Sequence, residues 1–220
     1  MGSVKRSLAN NIGTSGILKA GAFNNNSLNN VTALNAAVAT GNMVLINSQT
    51  ASASATISFT TGINSTYKEY QFYFINCHPS SNGARLTFNL SSDSGSNYNV
   101  TKTTTVFKAF HKEDGASDGL SYDTGADLAQ GTGFQNLGTD LISDNDSNVS
   151  GILTLFNPSS TTYVKHFIAI SNGMSDGSPP YSENRYAAGY GNTTSAINAI
   201  QFKFDAGNID DGTILMFGIK

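Results

Sequence analysis

Residues 199 to 219 read AIQFKFDAGNIDDGTILMFGI, and this stretch decides the fold class. In its first half, Ile200, Phe202 and Phe204 alternate with polar residues, and a period of two places them on one face of a β-strand. The second half, TILMFGI, is another run of strand-forming residues. The link at 205–212 is rich in Gly, Asp and Asn, so we predict a β-hairpin with two antiparallel strands.

Short runs of the same kind extend back along the chain as far as Met43, and polar turns rich in Gly, Asn, Asp and Ser separate them. The runs predicted as strands are 43–48, 55–59, 67–76, 84–90, 100–110, 151–157, 162–171, 185–191, 199–205 and 213–219. The stretch 111–150 is polar and predicts long loops, and no stretch predicts a long helix. With about nine or ten strands, the natural package is a two-sheet antiparallel β-sandwich, jelly-roll-like, over residues 43–220.

The composition also favours β-structure and narrows the class of partner. Charged residues are 12% of the chain, about half the usual share, whereas Asn, Ser and Thr together supply roughly a third of it. The net charge is −3, and beyond Lys5 and Arg6 no basic cluster offers a surface for nucleic acid. No run approaches the ~20 apolar residues that cross a bilayer, and no apolar segment of a Sec signal follows the basic pair. We therefore expect neither nucleic-acid binding nor membrane insertion.

Residues 1–42 differ from the rest of the chain, because their apolar residues are scattered and follow no sustained period. Such a segment cannot bury its own apolar side chains, so we predict an extended N-terminal arm that anchors on another protein surface. The candidate anchoring residues are Leu8, Ile12, Ile17, Leu18, Phe23 and Leu28.

One motif suggests chemistry. YDTGADLA contains Asp-Thr-Gly at 123–125, which resembles the active-site loop of retroviral-type aspartic proteases. DSG at 93–95 is a candidate for the second active-site loop, as in two-lobed pepsin-like enzymes. That chemistry needs two carboxylates about 3 Å apart that share one proton. In those enzymes the loop follows an apolar strand, whereas here the preceding residues are the polar EDGASDGLSY. We predict that Asp123 and Asp93 lie in surface turns, and an aspartic protease is the third and weakest hypothesis.

Metal and cofactor sites are not predicted. In the stretch DNDSN, Asp144, Asp146 and Asn148 have the spacing of the first ligands of a calcium-binding loop. However, Val149 stands where that loop needs Gly, and the later Glu of such a loop is missing. An Asx-rich turn is the simpler interpretation. The three histidines share no metal-ligand spacing. Cys77 excludes an intrachain disulfide framework and ends an apolar run, which predicts a small buried hydrophobic residue.

Longer stretches of the chain resemble a family of virion structural proteins of tailed phages, best represented in marine cyanophages and related ocean phages. The stretches that carry the resemblance are STYKEYQFYFINCHPSSNG, SSDSGSNYNVTKTTT, ADLAQGTGFQNLG, LFNPSSTTYVKHF and AAGYGNTTSAINAIQFKFDAGNIDDGTILMFGIK. The closing pattern is the most specific part, with Phe217 where Tyr is common. The resemblance covers roughly residues 43–220, and residues 1–42 match it less firmly. It implies a non-enzymatic β-sandwich on the particle, as a capsid decoration or a tail fibre or adaptor, with no catalytic residues.

The leading hypothesis is therefore a virion protein, assembled in the bacterial cytoplasm, whose sandwich projects outward while residues 1–42 anchor it. Its partners would be the major capsid or tail proteins. Decorations often occupy three-fold or quasi-three-fold axes and fibres are usually trimers, so by analogy we expect a homotrimer.

The alternative hypothesis is a carbohydrate-binding adhesin domain that contacts a host surface glycan. Aromatic rings stack on sugars while Asn and Asp bind hydroxyls. The candidate contact residues are Tyr98, Tyr122, Tyr181, Tyr186 and Tyr190. In the simpler interpretation, which we favour, these tyrosines border the core or a subunit interface.

Overall fold

The computed structural model describes residues 42–220. Within that range it contains twelve β-strands and no helix. The strands are β1 (Met43–Thr50), β2 (Ile57–Phe59), β3 (Glu69–Pro79), β4 (Leu86–Ser91), β5 (Lys102–Lys112), β6 (Asp118–Tyr122), β7 (Gln135–Asn136), β8 (Val149–Phe156), β9 (Lys165–Ser175), β10 (Tyr181–Gly191), β11 (Ala199–Phe204) and β12 (Ile209–Ile219). Every run predicted as a strand contains one, and β6 and β7 are additional short strands in the stretch predicted as long loops.

The strands form two antiparallel sheets, which confirms the predicted all-β, two-sheet sandwich. The larger sheet has eight strands in the order β1-β12-β3-β8-β9-β10-β5-β6, and the smaller has four in the order β2-β11-β4-β7. The unequal division between the sheets is a feature that the sequence pattern does not predict.

The core lies between the two sheets and is dominated by aromatic rings. Phe72 on β3 and Phe202 on β11 have ring centroids 5.7 Å apart, and Phe88 on β4 meets Phe167 on β9 edge to face at 5.0 Å. All four side chains are buried. Each such burial contributes about 1.5–3 kcal/mol, so these contacts across the sandwich hold the two sheets together.

The predicted hairpin between the last two strands is wrong. β11 pairs with β2 and β4 in the smaller sheet, whereas β12 pairs with β1 and β3 in the larger one. The link is also shorter than predicted, because β12 already begins at Ile209. Both strands carry buried apolar residues, Phe202 on one and Met216 on the other. They bury these faces from opposite sides of the core rather than beside each other in one sheet.

Two lysines lie inside the sandwich. Lys102 on β5 and Lys165 on β9 both stand opposite Gly191 of β10, and both are 0% exposed. The Lys102 ammonium donates to the Val100 carbonyl at 2.8 Å and to the side-chain oxygen of Asn89. All of these acceptors are neutral, so burial lowers the pKa of Lys102 to about 7.

Candidate interaction surface

The outer face of the eight-stranded sheet carries a continuous row of apolar and aromatic side chains. Directly opposite residues of antiparallel strands point to the same face, so the strand register shows which side chains line up. The row runs through Leu215, Tyr73, Ile152, Ile170, Tyr186, Phe107 and Tyr122, each paired with the next. We call these residues the apolar belt.

A second row, the flanking row, runs beside the belt and extends the apolar area. It consists of Phe217, Gln71, Thr154, Ile168, Ala188 and Thr105. The two rows touch where the ring of Tyr73 meets the ring of Phe217 at 5.4 Å. A shallow groove of about 480 Å³ runs across both rows, and its lining includes Ile152, Ile168 and Ile170 as well as Asn172 and Asn184 on the other side of the belt.

Much of this surface is open to solvent. Ile168 is 49% exposed, Ile170 44% and Phe107 44%. The rings of Phe107 and Tyr186 stack nearly parallel, with centroids 4.8 Å apart, which fixes both side chains in place. A contiguous exposed apolar area is more often an interaction site than other parts of a protein surface are.

The local sequence explains why β3 carries apolar side chains on both faces. In β3 the side chains of Phe72 and Phe74 are buried, while Tyr73 and Ile75 alternate with them and point outward. An antiparallel sheet with one solvated face normally shows polar residues at those outward positions. The outer face of β3 therefore carries apolar side chains where a solvated sheet face usually carries polar ones.

The Asp-Thr-Gly motif lies in a turn, as predicted, because the amide of Ala126 donates to the carbonyl of Asp123 at 3.2 Å. The Asp123 carboxylate points inward rather than only to solvent, and it forms an ion pair with Arg185 Nη1 at 3.0 Å. Glu183, 1% exposed, binds Arg185 at 2.8 Å and Lys108 at 3.3 Å. Two acids thus face two bases, which is the arrangement of a structural ion-pair cluster and not of carboxylates sharing a proton.

Asp93, the second carboxylate of the protease hypothesis, lies in a different turn. It accepts hydrogen bonds from the Ser91 hydroxyl at 2.6 Å and from the Asn97 side chain at 2.7 Å. These bonds favour the ionised form and lower the pKa of Asp93 to about 2. The structure therefore gives Asp93 and Asp123 separate partners and does not bring them together as a dyad.

The candidate calcium loop also forms a turn. The amide of Ser147 donates to the carbonyl of Asp144 at 2.9 Å, and the Asn148 side chain donates to the carbonyl of Asp146 at 3.2 Å. Among residues 42–220, no group of three or more His, Cys, Asp or Glu side chains is placed to hold a metal ion.

Cys77 is fully buried, which confirms the prediction of a small hydrophobic residue. It follows a shift in the register between β3 and β8. Burial raises the pKa of its thiol to about 12, so the thiolate that reacts with oxidants and alkylating agents is scarce at neutral pH.

The tyrosines proposed for glycan contact do not form one site. Tyr122 and Tyr186 belong to the apolar belt, and Tyr190 lies on the same strand face as Tyr186, against the ring of His166 at 5.9 Å. Tyr181 instead packs edge to face on Phe110 at 5.6 Å. Tyr98 lies elsewhere, where its carbonyl accepts the side-chain amide of Asn89.

The anchoring role of the arm stays a prediction, because its six candidate residues lie outside the described residues: Leu8, Ile12, Ile17, Leu18, Phe23 and Leu28.

In the described part of the chain there is no helix of the length and apolarity that a membrane crossing requires.

Sequence reasoning missed the apolar belt. The outward alternation of β3 could be read from its residues, but the alignment of seven such residues depends on the pairing of strands that are distant in sequence. No local signal gives that register.

The fold and this surface together define a class of protein: an antiparallel β-sandwich whose larger sheet exposes a row of apolar side chains on its outer face. Comparisons with protein-family models, with curated proteins and with solved structures found no match to the chain.

Proposed function

We propose that the chain is a non-enzymatic structural protein of a tailed-phage particle, displayed on the capsid as a decoration or on the tail as a fibre or adaptor. The sandwich projects from the particle, and residues 1–42 anchor it to the major capsid or tail proteins. The observation that carries the proposal is the apolar belt, which suits a protein that works in an assembly. That the assembly is a phage particle is inferred from the sequence resemblance of residues 43–220.

The surface composition supports the same role. Charged residues are 12% of the chain, so the polar surface of the sandwich consists mainly of amide and hydroxyl groups. Salt has little effect on the interactions of such uncharged groups. A protein packed among many copies on a particle avoids the mutual repulsion that a high net charge produces.

The proposal is tested by following the chain into particles. In one full-length variant the six apolar arm residues become Ser, and in a matched control six asparagines of the same arm become Ser (Asn24, Asn25, Asn26, Asn29, Asn30 and Asn35). We expect both variants to fold, as measured by circular dichroism. Immunogold electron microscopy of purified particles should label the native chain and the control but not the first variant.

Absence of the native chain from purified particles would contradict the proposed function itself. Incorporation of the Ser-substituted variant at the native level would contradict the anchor alone. A chain lacking residues 1–40 gives a second test of the anchor, and we expect it to fold and to stay off the particles.

A second candidate function is binding of a host surface glycan. One observation favours it: Tyr122 is 50% exposed, and its hydroxyl donates to the Asp127 carboxylate at 2.7 Å. In a sugar-binding site, an exposed aromatic ring can stack on the sugar while a neighbouring carboxylate accepts hydrogen bonds from the sugar hydroxyls. A glycan array probed with the full chain tests this function. No binding on the array, together with normal adsorption of particles that lack the chain, would dispose of it.

A further inference from the structure

We infer that the apolar belt binds the apolar belt of a second copy of this chain. The inference deepens the proposed function, on which it rests, because it names the partner of the surface that supports that function. Three features of the outer sheet face carry it: its charge, the position of the other exposed apolar residues, and its area.

The charge pattern allows the face to meet itself. Neither the belt nor the flanking row contains Asp, Glu, Lys or Arg. A surface of one charge sign repels its own copy, whereas an uncharged one does not. The flanking row adds Gln71, Thr154 and Thr105, whose side chains can both donate and accept hydrogen bonds.

Among residues 42–220, the other exposed apolar residues do not form a second apolar patch that the belt of a neighbouring copy could bind. In the part of the chain that the structure describes, the exposed large apolar residues are Met43, Leu45, Ile75, Phe107, Leu120, Tyr122, Ile152, Tyr163, Ile168, Ile170 and Tyr186. All of them except Tyr163 lie on strands of the eight-stranded sheet. A head-to-tail contact would need a second apolar patch, so the belts meet each other across a two-fold axis.

The area is close to what a stable interface needs. Leu215 and Tyr73 of the belt are half-buried. The exposed large apolar side chains of the belt and its neighbours range in exposed fraction from 36% for Ile152 to 73% for Leu120. With ordinary side-chain areas they sum to about 700 Å² of apolar surface, against the ~800 Å² per partner of a standard interface. The flanking polar side chains supply the remainder.

The first experiment measures the mass of the full-length chain in solution. Light scattering coupled to size exclusion, at tens of micromolar, should give a dimer for the native chain. Ile170→Glu places a charge in the middle of the belt and should give a monomer. Tyr163→Glu removes an exposed aromatic residue outside the belt and should keep the native mass. A monomeric native chain, or a native mass for Ile170→Glu, would overturn the inference.

A second experiment does not depend on how the charged variant folds. Cys77 is buried and its pKa is about 12, so a cysteine placed on the surface is the reactive thiol of the described residues. With a short bismaleimide, Ile170→Cys should be cross-linked into covalent dimers and Tyr163→Cys should not. Cross-linking of Tyr163→Cys alone would place the contact elsewhere and overturn the inference.

These outcomes separate the two proposals. An oligomer that forms through the belt but is absent from particles contradicts the proposed function and keeps the inference. A chain that is monomeric in solution but present in particles contradicts the inference and keeps the proposed function.

Discussion

At the scale of single residues, the interior of this sandwich holds charged groups of two kinds. Lys108, Asp123, Glu183 and Arg185 neutralise one another, and removing one member of such a group would leave its partner unpaired in a poorly solvated site. Lys102, in contrast, has only neutral partners. The four members of the cluster balance one another's charge, whereas the buried lysine is a group through which pH can act on stability.

Lys102 should make the fold more stable as the pH rises from 7 to 9. Its pKa is about 7 in the folded chain, against the ordinary 10.5. Between these values the unfolded chain binds more protons, so the free energy of unfolding increases with pH. We expect a gain of about 2 kcal/mol over this window. Above pH 9 Cys77 acts in the opposite direction, because its pKa is raised in the folded chain.

Urea denaturation of the native chain and of Lys102→Met, at pH 7, 8 and 9, checks this prediction. Burial also lowers the pKa of Lys165, but that residue is present in both proteins. The difference between their two pH profiles therefore isolates Lys102. The same slope in both proteins would show that Lys102 does not carry the effect.

At the scale of elements, the close approach of β8 and β9 depends on a glycine. A Cβ added to Gly151 would lie 2.3 Å from the backbone oxygen of Ile170 and 2.6 Å from the ring of Phe74. Because the nearer contact is with backbone, β8 would have to move relative to β9. We expect Gly151→Ala to lower the free energy of unfolding by about 1–3 kcal/mol.

The matched control for this substitution is Gly133→Ala, since an added Cβ there meets nothing within 4 Å. It should stay within about 0.5 kcal/mol of the native chain in urea denaturation. Equal stabilities of the two alanine variants would contradict the packing of β8 on β9 described above.

The same scale shows what the sequence can and cannot predict. Alternation and runs of strand-forming residues located the predicted strands, because both patterns are local, as in the run Tyr70, Phe72 and Phe74. The hairpin prediction at 205–212 was wrong because a polar link of that length connects strands equally well within one sheet or between two. The belt was missed for a related reason: its line from Leu215 to Tyr122 exists only in the strand register.

At the scale of the whole molecule, the sandwich has a wide sheet of eight strands and a narrow one of four. The exposed apolar residues are concentrated on the wide sheet, while the narrow sheet presents polar side chains such as Gln201, bonded to Ser58, and Lys203, which lies over the ring of Phe134. Residues 42–220 are therefore two-sided, with exposed apolar side chains concentrated on the wide sheet and polar side chains on the narrow one.

This two-sidedness predicts how the assembly responds to salt. Salt screens contacts between charges, but the belt and the flanking row contain none, so association should not weaken between about 0.05 and 0.5 M sodium chloride. Sulfate strengthens apolar burial, and it should increase the fraction of oligomer at equal ionic strength. Sedimentation velocity of the full-length chain across both salt series measures these fractions. Dissociation as sodium chloride rises would show that charged groups at the margin of the sheet, such as Glu69 and Asp118, hold the copies together instead.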